Sequence, residues 1–116
     1  MIIALDFDET YTKDPMLWNY LILGVNHDKL KANKIIMATY RHEKLDYDPL
    51  FEILRVLGVD CYFTDGKAKK PFLQNLGIEV DIWIDDNPLS IMQDSAWKHD
   101  SPELHAWREE NKKKTA

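Results

Sequence analysis

Two carboxylates separated by one residue follow the first apolar run of the chain. The run Ile2–Leu5 is followed by Asp6 and Asp8, and Thr10 comes two residues later. The run is short, aliphatic and free of polar alternation, which predicts a strand buried on both faces of a parallel sheet. Ligands of open α/β sheets bind at the carboxyl ends of the strands. Because two ionised carboxylates at such an edge repel each other, the pair predicts a site for a hard cation such as Mg²⁺.

Further apolar runs at 34–39, 59–64 and 80–86 predict three more strands, and polar residues lie at or just after their ends. The carboxyl ends of parallel strands meet at one edge of the sheet, so these residues should converge with Asp6 and Asp8. A cluster of carboxylates, a hydroxyl and a lysine suits a metal ion beside a phosphate dianion. The residues concerned are Thr39, Lys67, Lys69, Lys70, Asp85 and Asp86.

Prolines and glycines predict where the helices begin and end. Proline after Asp, Asn or Ser is typical of a helix start, and glycine is typical of the residue after a helix. We predict helices at 15–23, 49–57, 71–76, 88–94 and 102–112, a further turn at 27–32, and helix ends at Gly24, Gly58 and Gly77. Strands alternating with helices predict an α/β fold, a doubly wound, mainly parallel sheet in three layers.

Composition limits the class of protein. The 116 residues predict a single domain, 1–116, with a disordered tail at about 111–116. The net charge of −5 argues against a general nucleic-acid binder. A lone cysteine, Cys61, fits a reducing cytosol. The chain has no apolar stretch of membrane-spanning length and begins with a strand instead of a signal sequence, so we expect a cytoplasmic protein.

The predicted cluster could transfer a phosphoryl group. Asp6, nearest the rigid strand, is the better candidate nucleophile, and Asp8 could protonate the leaving oxygen and then activate water. Thr39 could donate a hydrogen bond to a phosphoryl oxygen, and a lysine could add positive charge. Either acid of the pair at 85–86 could complete the shell of Mg²⁺.

The order of these motifs resembles the haloacid dehalogenase (HAD) superfamily of phosphohydrolases. The sequence Asp-Phe-Asp-Glu-Thr at 6–10, then Thr39, a lysine, and Ile-Asp-Asp at 84–86 lie in the order of the family's four signatures, across residues 2–88. The resemblance implies that Asp6 is the nucleophile and Asp8 the general acid and base. It also implies Mg²⁺ held by the Asp6 side chain, the Asp8 backbone carbonyl and one acid of the last pair, for which we favour Asp86, with Asp85 acting through water.

Three features of the resemblance are left open. Glu9 stands where many relatives carry glycine, so the turn after Asp8 can differ in shape. Lys69 is the best placed lysine, Lys67 follows closely, and Lys70 is expected to be solvated. Arg41 either contacts the substrate or belongs to a polar loop.

The segments between the motifs are too short for a cap domain, which favours an exposed phosphoester or a partner subunit as lid. We therefore expect a Mg²⁺-dependent phosphatase acting on a phosphomonoester through an aspartyl-phosphate. Nucleotides, sugar phosphates, phosphoproteins and nucleic-acid ends are all open as substrates, and an oligomer is possible. The alternatives are a catalytically silent phosphate- or metal-binding module, or a phosphoryl-receiving domain, in which the acids, Thr and Lys come in a different order.

Overall fold

The computed structural model describes residues 1–27, 30 and 32–95. The predicted helix at 102–112 and the predicted tail lie outside the described residues, and the predicted turn at 27–32 lies partly outside them. The strands are β1 (Ile2–Leu5), β2 (Lys34–Thr39), β3 (Cys61–Phe63) and β4 (Ile82–Ile84), and a short 3₁₀ helix covers Tyr11–Lys13. The α-helices are α1 (Pro15–Asn26), α2 (Leu50–Val56), α3 (Lys69–Asn75) and α4 (Leu89–Met92).

The four strands form one all-parallel sheet in the order β3-β2-β1-β4. Leu5, the last residue of β1, pairs with Met37 of β2 and with Ile84, the last residue of β4. The residues that follow Leu5 and Ile84 therefore leave the sheet side by side. This confirms the predicted α/β fold with a parallel sheet.

Two apolar clusters lie on opposite faces of the sheet, because side chains alternate along each strand. On one face Leu5, Ile35 and Met37 pack with buried side chains of α1 and α2. On the other face Ala4 and Ile36 belong to the cluster that contains buried Leu73 of α3. Helices thus cover both faces, as burial of both sides of β1 and β2 requires.

Helix α1 differs from its predicted end. Asp14 caps it, accepting a hydrogen bond from Leu17 N at 3.2 Å, and Pro15 is its first residue as predicted. The helix then runs through Gly24 to Asn26, so the predicted end at Gly24 was wrong. The reason is a tertiary contact: the Asn26 side chain accepts from Ile35 N at 2.7 Å and donates to Ile35 O at 3.1 Å, which ties the last turn to β2.

The other glycines and one proline show how local geometry sets helix ends. Gly58 and Gly77 have φ of 83° and 80°, the left-handed conformation predicted for residues that follow a helix. Helix α3 begins two residues before Pro71, earlier than predicted. Proline is tolerated there because the first-turn N–H groups have no partner within the helix. None of the helices in the described part of the chain has the length and hydropathy that a membrane span needs.

Candidate functional site

A buried lysine joins two carboxylates at the carboxyl edge of the sheet. Asp6 follows β1 and Asp85 follows β4, and Asp6 N donates to Ile84 O at 2.9 Å, which fixes the chain as it leaves β1. Lys69 Nζ donates to Asp6 Oδ1 at 2.7 Å and to Asp85 Oδ2 at 2.6 Å. The three side chains are only 2%, 9% and 3% exposed, in the order lysine, Asp6, Asp85. Charges so far from water must be paired, and here two acids share one cation.

The start of α3 brings Lys69, of the three candidate lysines, onto the carboxylates. Ala68 N donates to Asp94 Oδ1 at 2.8 Å just before the helix begins. Lys69 Nζ also lies 5.6 Å from the centre of the Tyr40 ring, a cation–π distance. Lys67, in contrast, is exposed and borders a separate depression beside α3 and α4.

The hydroxyl of Thr10 connects the acids of β1 and β4. Its Oγ1 lies 3.4 Å from Asp6 Oδ2 and 3.3 Å from Asp86 Oδ1, and it accepts a hydrogen bond from Asp86 N at 3.2 Å. A second hydroxyl, Ser90 Oγ in α4, donates to Asp85 Oδ2 at 3.0 Å. Sequence reasoning assigned no role to either residue. The available signal was a hydroxyl residue in each of the loop-to-helix segments that follow β1 and β4.

Three carboxylates are close enough to share a cation. One oxygen from each of Asp6, Asp85 and Asp86 lies within 4.8 Å of the others. The pKa of Asp6 is raised from 3.8 to about 7, mainly by burial and then by its hydrogen bond with Asp86, while Lys69 opposes the shift. Asp6 therefore keeps its proton up to about pH 7, at a point where three carboxylates lie close to one lysine. A hard divalent cation suits these oxygen donors and would take over the proton's role.

These groups line a cleft with a volume of about 160 Å³. This is several times the roughly 30 Å³ that one water occupies, so a phosphate-sized anion and waters fit. Two wider depressions, of about 510 and 600 Å³, lie elsewhere and lack a comparable group of buried charges among the described residues. The described residues that line the cleft are Asp6, Asp8, Glu9, Tyr40, Lys69, Asp85, Asp86, Asn87 and Ser90.

Asp8 lies at the exposed mouth of the cleft and is paired with Arg41. The guanidinium donates from Nε to Asp8 Oδ2 at 3.0 Å and from Nη2 to Asp8 Oδ1 at 2.7 Å. Arg41 itself lies behind Asp8, over the ring of Phe7 at 4.9 Å. Glu9 follows with a φ of 62°, so the turn adopts the left-handed conformation that glycine would favour.

Thr39 ends β2 as predicted, yet it is fully buried and does not border the cleft. Its Oγ1 accepts from Arg41 N at 3.2 Å. The structure therefore brings together Asp6, Asp8, Lys69 and both acids of the pair at 85–86. Thr39 and Arg41 lie behind these residues, and Lys67 lies outside the cleft. The roles predicted for Thr39, Arg41 and Lys67 remain predictions. Comparisons of the chain with protein-family models, with curated proteins and with solved structures find no match.

Proposed function

We propose that the protein is a Mg²⁺-dependent phosphohydrolase of the HAD type that cleaves a phosphomonoester through an aspartyl-phosphate on Asp6. The observation that carries this proposal is the buried triad of Asp6, Lys69 and Asp85, with Asp86 close enough to share a cation. These residues come from three segments far apart in the sequence. The ordered motifs that resemble the HAD superfamily support the same chemistry.

The nucleophile is Asp6, because strand β1 and Lys69 fix its carboxylate at the base of the cleft. One of its oxygens forms a bond to phosphorus, and the bond from phosphorus to the ester oxygen breaks. Asp8, when it carries a proton, gives that proton to the ester oxygen. Asp8 then takes a proton from a water whose oxygen attacks phosphorus, the bond to Asp6 breaks, and inorganic phosphate leaves with both acids restored.

Asp86 is the better candidate for a direct ligand of Mg²⁺, and the Asp6 side chain is the other. Both oxygens of Asp85 are already engaged: Oδ2 accepts from Lys69 Nζ and Ser90 Oγ, and Oδ1 accepts from Asn87 N at 2.9 Å. Asp86 is exposed, and its carboxylate contacts the hydroxyl of Thr10 and the carboxyl group of Asp6. When bound, Mg²⁺ neutralises the carboxylates and the phosphoryl oxygens.

The substrate proposed is an exposed phosphate ester. The cleft is lined by the exposed residues Asp8 and Glu9, and we take it to function without a cap domain. Nucleotides, sugar phosphates, phosphoproteins and nucleic-acid ends remain candidate substrates. We propose a cytoplasmic location because the single cysteine, Cys61, fits a reducing compartment.

The test is phosphate release from an aryl phosphate with Mg²⁺, comparing wild type with Asp6→Asn. We expect a loss on the order of 10³-fold or more, as removal of a nucleophile causes. Asp60→Asn is the matched control, because Asp60 is an exposed acid that pairs with Lys34 at the opposite end of the sheet. Turnover retained in Asp6→Asn would exclude Asp6 as nucleophile. A wild type that binds inorganic phosphate without turnover would favour the silent binding module.

A further inference from the structure

The ion pair between Arg41 and Asp8 joins the loops that follow β1 and β2. Both oxygens of Asp8 accept from the guanidinium, at 3.0 and 2.7 Å. This two-point geometry fixes both the position and the plane of the carboxylate, which a single bond to lysine would not do. The Asp8 side chain is 50% exposed, so without this partner water would leave it free to rotate.

The guanidinium is itself held on the sides that face away from Asp8. It lies over the buried ring of Phe7, 4.9 Å from the ring centre. Its Nη1 donates to the carbonyl of Asp46 at 2.8 Å. The turn that presents this carbonyl is closed by His42, whose N donates to Asp46 Oδ2 at 2.7 Å and whose carbonyl accepts from Asp46 N at 3.1 Å. Arg41 is thus a fixed support and not a free surface side chain.

We propose that Arg41 is a positioning residue: it orients the Asp8 carboxylate at the cleft mouth to take a proton from the attacking water. This inference rests on the proposed function. Asp8 borders the cleft and Arg41 does not, so Asp8 lies between the guanidinium and the cleft. Proton transfer requires the two heavy atoms to approach within hydrogen-bond distance, so a carboxylate that is already oriented lowers the barrier.

A double-mutant cycle on Asp8 and Arg41 tests this role. With an aryl phosphate and Mg²⁺, we expect Arg41→Gln to lower kcat by about 10- to 100-fold, the cost of misplacing a catalytic group. The Kd for inorganic phosphate should change by no more than about twofold, since binding of phosphate does not require proton transfer by Asp8. In an Asp8→Asn background, Arg41→Gln should cost nothing more, because residues that act as one unit are not additive. Arg41→Lys should recover only part of the loss.

The control is Lys34→Gln, which removes an exposed ion pair at the other end of β2 and should leave all constants unchanged. Thermal unfolding of each variant distinguishes a protein that fails to fold from one in which only the Asp8 carboxylate is misplaced. If Arg41→Gln does not fold, Arg41→Lys replaces it in the cycle. If Asp8→Asn retains no measurable turnover, the kcat of Arg41→Gln and its Kd for inorganic phosphate decide.

Three results would overturn the positioning role. A loss from Arg41→Gln that persists in the Asp8→Asn background would show that Arg41 acts directly on the substrate, as would a tenfold rise in the Kd for phosphate. An inactive wild type would remove the proposed function and the positioning role together. If the wild type is active and the losses from Asp8→Asn and Arg41→Gln are additive, only the positioning role is excluded.

Discussion

Near neutral pH, the carboxyl group of Asp6 holds a proton more readily than a free aspartate does. Burial withdraws its carboxyl from water, and the neighbouring Asp86 favours a shared proton, so its pKa is raised to about 7 in spite of Lys69. In the unfolded chain the value returns to about 3.8. Between these two values the folded protein holds a proton that the unfolded chain has lost.

The metal-free protein should therefore lose stability as pH rises from about 4 to about 7, and Asp6 should contribute no further change above that range. Asp6→Asn removes the titrating group, so its free energy of unfolding should fall less steeply across this interval. Denaturant unfolding in the presence of a chelator, at several pH values, measures both slopes. Wild type with Mg²⁺ serves as the comparison, since a bound cation opposes protonation of Asp6. Equal slopes for wild type and Asp6→Asn would contradict the raised pKa.

At the scale of single elements, the turn after β1 has a strained backbone at Glu9, which lines the cleft. Glu9 has a φ of 62° and is exposed, and its carboxylate lies 3.9 Å from Lys13 Nζ. An exposed pair of this kind contributes little to stability. The left-handed conformation costs an L-residue roughly 1–2 kcal/mol, which glycine avoids.

Replacing Glu9 by Gly and by Val should therefore have different effects. Glu9→Gly should be neutral or stabilising by less than about 1 kcal/mol, because the relief of strain is offset by the greater chain entropy of glycine. Glu9→Val should destabilise by about 1 kcal/mol or more, since a branched Cβ fits this conformation poorly. Chemical denaturation of the three proteins gives the free energies of unfolding. A Val variant as stable as the Gly variant would show that the turn relaxes away from its left-handed geometry.

For the whole molecule, a metal ion bound by the carboxylate cluster as proposed would couple metal binding to folding. The three acids meet only when β1 and β4 are paired, so the unfolded chain has no equivalent site. A ligand that binds only the folded state stabilises it by about 2.7 kcal/mol when present at 100 times its Kd.

Mg²⁺ should accordingly raise the Tm of the wild type, and Asp86→Asn should weaken this response more than Asp85→Asn. The reason is that Asp85 already bonds Lys69, Ser90 and the Asn87 backbone. Asp85→Asn should instead lower the Tm without metal, because buried Lys69 loses one of its two partners. Thermal unfolding with and without Mg²⁺ checks both effects. The opposite ranking of the two metal responses would exchange the roles of Asp85 and Asp86.

Local sequence was sufficient for the strands and for most helix ends. Each strand lies inside a short apolar run, and Pro15, Gly58 and Gly77 mark helix boundaries through backbone geometry alone. Gly24 was misread because a distant contact, from Asn26 to β2, extends α1 beyond it. A parallel sheet also follows from the alternation of strands with helices, and it places the residues after β1 and β4 on one edge.

The contacts within the cleft were decided by tertiary structure. The pattern of residues left Lys67 and Lys69 both open, and the start and packing of α3 place Lys69 on the two carboxylates. The bonds made by Thr10 and the pairing of Arg41 with Asp8 depend on how loops from different strands meet. Strand and helix signals arise from backbone sterics and burial within a few residues, so a sequence displays them directly. Which side chains touch depends on register and on helix docking between distant segments, and only the folded chain determines these.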